Sequence, residues 1–108
     1  MMHISREINW FTETLWSKFG VKVTAESIAL EGIELGLDEV EDFFVPVELF
    51  DELPETLLYE ILVADDEEGN EWVGGIAFHD NLQVQNWCLQ IITKNGQLVY
   101  RNLLPLLQ

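Results

Sequence analysis

Asp38, Glu39, Glu41 and Asp42 fall within five positions of the chain, and Phe43 and Phe44 follow at once. A second run, Asp65-Asp66-Glu67-Glu68-Gly69-Asn70-Glu71, holds five more acids. Carboxylates gathered at this density do one kind of chemistry well: they supply hard oxygen ligands. Ca²⁺ takes six to eight of them, together with carbonyls and water. The expected metal ligands are therefore Asp38, Glu39, Glu41 and Asp42 at a main site, with Asp65, Asp66 and Glu68 at a weaker one. Neither run is an EF-hand. With Gly69 at loop position 6, Asp66 and Glu68 fall at positions 3 and 5, but Ala64 and Gly75 occupy positions 1 and 12, where ligands are required. The first run has no glycine at the needed place. Any calcium site would draw on several segments.

Other chemistries are poorly supplied. Cys88 lies among Trp87, Leu89 and Ile91, and reads as a buried structural thiol. His79 stands beside Asp80, but nothing completes a catalytic set, and His3 lies near the terminus. One cysteine and two distant histidines do not make a zinc site. No glycine-rich loop opens a helix, so a phosphate cradle is not expected. The chain reads as non-enzymatic.

The charge sharpens this. Twenty acids face five bases over 108 residues, for a formal net charge of −15. No base occurs between Lys22 and Lys94, the interval that holds eighteen of the acids. Two carboxylates about 6 Å apart in water repel by roughly 0.7 kcal/mol, and a small domain is stable by only about 5–15 kcal/mol. Solubility needs a net charge of magnitude about 2–8. A cation would turn the excess repulsion into binding energy. Nucleic acid is excluded as a partner, because its binders carry a basic footprint. A basic protein is the alternative partner, with the chain acting as an acidic inhibitor, an immunity-type protein or a mimic of DNA charge.

The elements that must hold these acids follow from periodicity. Residues 5–19, "SREINWFTETLWSKF", place Ile8, Phe11, Leu15 and Phe19 on one helical face. Ser5 suits the N-cap and Gly20 the C-terminal stop. "VKV" and "SIALEGIELGL" predict strand, in one or two pieces, with turns or bulges at Gly32 and Gly36. The acidic, aromatic stretch from Asp38 to Glu55 carries Pro46 and Pro54 and predicts a short helical turn. "LLYEILVADDEEGNEWVGGIAFHD" predicts strand, tight turn and strand, with Gly69 and Asn70 tolerating positive φ and Gly74-Gly75 marking a bulge. "QVQNWCLQIIT" and "LVYRNLL" predict two more strands around an Asn95-Gly96 turn, with Pro105 ending the last. The expectation is one α+β domain over residues 1–108, an N-terminal amphipathic helix packed on a mostly antiparallel sheet. No apolar run reaches the ~20 residues that span a bilayer. No secretory signal is expected at the N-terminus, and the lone cysteine suits a cytoplasmic protein.

In length, low pI, absence of an EF-hand and the runs "DEVED" and "ADDEEGNE", the chain resembles the small acidic calcium-binding proteins of filamentous, heterocyst-forming cyanobacteria. The resemblance implies a cytoplasmic protein that binds Ca²⁺ on the acidic surface of a compact α/β fold and buffers free calcium during cell differentiation.

Overall fold

The computed structural model describes residues 5–36, 56–78 and 87–103. Helix α1 spans Arg6–Phe19. Ser5 caps it, its hydroxyl accepting from the Ile8 amide at 3.2 Å. Gly20 closes it at φ 66°, in the left-handed region that glycine enters without a Cβ penalty. There the Gly20 amide donates to the Trp16 carbonyl at 3.1 Å and the Val21 amide to the Leu15 carbonyl at 3.0 Å, which takes up last-turn carbonyls. Lys18 lies in the last turn, where a cation favours the helix dipole.

Five strands follow: β1 Ala29–Gly36, β2 Thr56–Asp65, β3 Glu71–Phe78, β4 Trp87–Lys94 and β5 Gln97–Leu103. They form one sheet in chain order, and every neighbouring pair is antiparallel. The α+β expectation holds: one N-terminal helix and an antiparallel sheet.

Strand alternation sends side chains to two faces. On one face Phe11 and Leu15 of α1 pack with Leu62, Ala64, Trp72, Ile76 and Ile92. Each fully buried side chain of this size contributes about 1.5–3 kcal/mol, so Phe11 and Leu15 alone anchor α1. Removing most of Leu15 by a change to alanine should cost about 2–5 kcal/mol. The other face carries a second buried cluster built on Leu35, Leu57, Tyr59, Leu89 and Ile91. Cys88 belongs to it, and its thiol donates to the Ala77 carbonyl at 3.6 Å.

Three local expectations are corrected. "VKV" is not a strand; Val21 and Val23 pack against the helix-side core instead, and Ala25–Ser27 form a 3-10 turn before β1. Their alternation records burial along a connection, not a ladder. Second, β1 is continuous, with Gly32 paired in register with Glu60 and no bulge. Third, Gly74-Gly75 is no bulge either. The register shifts fall at Ala77/Phe78 and Ile92/Thr93. The two glycines are demanded by close approach. A Cβ on Gly74 would lie 2.7 Å from Phe11 Cδ1, and one on Gly75 would collide with the Tyr59 hydroxyl. The helical turn expected before Thr56 and the stop at Pro105 lie outside the described residues. Among the described residues no helix is long and apolar enough to cross a membrane.

Candidate binding surface at the hairpin end of the sheet

Because β3 and β4 run antiparallel with Trp72 opposite Lys94, the β2–β3 and β4–β5 turns lie at the same end of the sheet. Asp66 organises the first turn. Its Oδ1 accepts from the Glu68 amide at 2.8 Å and the Asn70 amide at 2.9 Å. Its Oδ2 accepts from Asn70 Nδ2 at 3.0 Å and from the Trp72 indole Nε1 at 2.9 Å. The Asp66 amide donates to the Asn70 carbonyl at 3.0 Å, and Gly69 turns the chain at φ 85°. Asn70 does not adopt positive φ; its side chain is the part that matters.

Asn95 and Gly96 make the second turn at φ 51° and 86°, the both-positive pair of a type I′ hairpin. Asn95 Nδ2 donates to Asn70 Oδ1 at 3.0 Å, and Asn95 Oδ1 accepts from the Glu71 amide at 2.9 Å. The Asn95 amide returns to the Glu71 carbonyl at 2.8 Å. One polar network therefore runs from Trp72 through Asp66 and Asn70 to Asn95, and fixes the two turns against each other.

A groove of about 430 Å³ opens beside this network. Phe19, Trp72 and Val99 supply its apolar surface, and Asp66, Glu68 and Lys94 its charges. The Phe19 and Trp72 rings meet at 5.1 Å between centroids, tilted by 47°, and Lys94 Nζ lies 5.4 Å from the Trp72 ring centroid, within cation–π range. An adjoining recess of about 310 Å³ adds Lys22 and Glu67. Hydrogen bonding, first from the Trp72 indole and then from the Asn70 amide, holds the Asp66 carboxyl well below the usual carboxylate range. It stays ionised, with both oxygens occupied by protein donors.

The expected weaker calcium set, Asp65, Asp66 and Glu68, lies on and beside this turn. Asp66 faces inward to its four donors. Asp65 is exposed at the end of β2, directly across the ladder from Glu71. Glu67 and Glu68 are exposed on the turn. Among the described residues, no three Asp, Glu, His or Cys side chains come together as a metal-binding group. Asp38, Glu39, Glu41 and Asp42, like His3, His79 and Asp80, lie outside the described residues. Comparisons with protein-family models, curated proteins and solved structures find no match.

Three residues that matter here carry no acid and were not singled out by sequence as a site: Trp72, Asn70 and Asn95. Part of the signal is in the sequence. An aspartate at the start of a glycine-containing turn favours an Asx-turn, its side chain accepting from the amide two residues on, as Asp66 does from Glu68. The contact from Trp72, six residues on, needs the hairpin to close first.

Proposed function

We propose that this chain is a non-enzymatic binding protein for cationic ligands, and that at the hairpin end of the sheet the ligand is a segment of a basic protein. The observation that carries this reading is the occupation of Asp66. With its oxygens committed to the turn, Glu68 is left free at the rim of the groove and Glu67 in the adjoining recess, both exposed. Glu68 beside Phe19 and Glu67 in the next recess suit a lysine or arginine side chain, whose alkyl stem lies on the half-buried Phe19 ring, the Trp72 ring being taken by Lys94, while its head meets the rim. They do not suit a Ca²⁺ ion, which needs six to eight converging oxygens. Long-range attraction from the net charge of −15 favours fast association with such a partner.

Calcium is the second reading, and it belongs to Asp38, Glu39, Glu41 and Asp42. Four carboxylates in five positions favour it. A site of this kind falls at about 10⁻⁷–10⁻⁵ M or weaker. It matches the buffering role of the acidic cyanobacterial proteins that the sequence resembles, and a cytoplasmic location goes with either ligand.

Two amide NMR titrations at physiological salt separate the readings, one with an arginine-rich peptide and one with CaCl₂. The peptide is expected to move the Trp72 indole and the Glu67 and Glu68 amides with saturation. Calcium is expected to move residues 38–42 and to leave the indole in place. Shifts that stay small, do not saturate and spread over every acid in both titrations would reduce the surface to a diffuse ion atmosphere and end both.

A further inference from the structure

The helix-side face of the sheet holds a carboxylate that the surface charge does not explain. Glu60 lies in the middle of β2, opposite Gly32 on β1 and Ile76 on β3. It is only 9% exposed, and its Oε2 is shut off from solvent with no hydrogen-bond partner. Such a group is expensive to leave alone in a protein interior. Burial, and then repulsion from Glu7 of α1, push its pKa up.

Gly32 leaves space across the ladder from it. A Cβ at that position would meet nothing nearer than Glu60 Cγ at 3.9 Å. The result is a cavity of about 220 Å³, walled by Gly32, Glu34, Leu58 and Glu60 together with Ile33 and Tyr59. Glu34 pairs with Leu58, so it stands on the diagonal from Glu60, a separation of about 7–8 Å between Cα atoms. These carboxylates do not form a metal-binding group. An N–H cation can reach both, because its N–H···O contacts are about 2.7–3.2 Å long and one ammonium nitrogen therefore bridges oxygens roughly 5 Å apart. At about 30 Å³ per water, the cavity has the room of roughly seven waters, enough for the end of a lysine or arginine side chain. Glu60 need only turn its terminal torsion, which is a soft one, to offer its unpartnered oxygen.

We propose that this cavity between β1 and β2 binds one organic cation, an alkylammonium or guanidinium group, with Glu60 as counter-ion, Glu34 as second acceptor and Leu58 as the apolar wall. Glu7 adds negative potential from α1, and Ile76 on β3 is uncharged. The site shares no residue with the hairpin-end surface. Its cation is either a free small molecule or the side chain of a bound protein.

The test is carboxyl-carbon NMR on protein labelled at glutamate Cδ, titrated with butylammonium or methylguanidinium chloride at constant ionic strength. Saturable movement of the Glu60 signal is expected, with a fall in its pKa, because a cation favours the ionised form. Tetramethylammonium, which has no N–H donor, should leave it unmoved. Glu60→Gln, followed through the Glu34 signal, should weaken binding at least about tenfold, and Glu26→Gln, an equal charge change on the exposed 3-10 turn before β1, should not. Gly32→Leu fills the cavity while keeping the carboxylate, and should also abolish binding. An unmoved Glu60 signal, an equal response to tetramethylammonium, or equal losses in the Glu60 and Glu26 variants would overturn the proposal. A lysine-containing peptide that saturates the signal at a tenfold lower concentration than butylammonium identifies a protein side chain as the cation; no such advantage identifies a free small molecule.

Discussion

The Trp72 indole donates to Asp66 Oδ2 at 2.9 Å, across six residues of chain. This bond joins the helix-side core, of which Trp72 is a member, to the polar turn at the end of the sheet. A residue that composition marks as one more acid in an acidic run is thereby a structural acceptor.

Asp66→Asn keeps the size of the side chain but replaces one acceptor oxygen with a donor. It should lower the urea midpoint at pH 7 and shift the Trp72 indole proton. The pH dependence follows from the depressed carboxyl. Its contribution is present above the unfolded-state pKa of about 3.9 and is lost as pH falls through the lower folded-state value. The wild-type midpoint should therefore fall below about pH 4 more steeply than that of Asp66→Asn. Parallel curves would remove Asp66 from the turn's stability.

Glu60 works with the opposite sign. Its folded-state pKa is raised, so its contribution is fully present below the unfolded value and is lost as pH rises through the folded one. Glu60→Gln should gain stability relative to the wild type as pH goes from 4 toward 8 (about the unfolded glutamate value and upward). Glu7→Gln should lower the Glu60 pKa by removing a like charge. An unchanged pKa in that variant would place Glu7 out of electrostatic reach.

Gly74→Ala and Gly32→Ala form a matched pair of glycine substitutions in one sheet. At Gly74 the new methyl would stand 2.7 Å from the ring of Phe11 and 3.3 Å from that of Trp10, so α1 must shift. A cost of about 1–3 kcal/mol is expected from overpacking. At Gly32 the nearest atom is 3.9 Å away, and the change should be neutral or mildly stabilising. Urea melts of the two variants check the ranking.

Asn95 carries two separable roles. Asn95→Gly keeps the left-handed conformation but loses the bonds to Asn70 and Glu71, and should cost about 0.5–1.5 kcal/mol. Asn95→Ala also forces a Cβ into φ 51°, which adds about 1–2 kcal/mol. Equal melting temperatures for the two variants would mean that the backbone conformation carries no strain.

Cys88 is 1% exposed, and burial pushes its thiol up to about 11. Reaction with an aromatic disulfide should therefore follow global unfolding across a urea series. Rapid labelling in the native state would contradict its place in the second core.

Much of this fold is legible in the sequence because burial leaves a period. Ile8, Phe11, Leu15 and Phe19 mark the helix, Ser5 and Gly20 its ends, and Asn95-Gly96 its hairpin, since each is a local requirement. The errors share a cause. Val21 and Val23 alternate like a strand but are buried by a connection, and Gly74 and Gly75 are glycines because of rings arriving from other elements. The role of Asp66 depends on Trp72 reaching back across a closed turn, and the cavity beside Glu60 on a glycine one strand away. Neither is a property of any short window of sequence.

The strand order equals the chain order, with no crossover. The β4–β5 and β2–β3 pairs are each closed by a few residues, whereas nineteen residues (37–55) separate β1 from β2. Loop closure becomes harder with length, so the two short hairpins should form early and β1 should dock late. Native-state hydrogen exchange should then find β1 opening first, carrying Gly32 and Glu34 away from Glu60 while Asn70 and Asn95 still hold the far turns together. The strand expected to open first is the one that walls in a buried carboxylate without a hydrogen-bond partner.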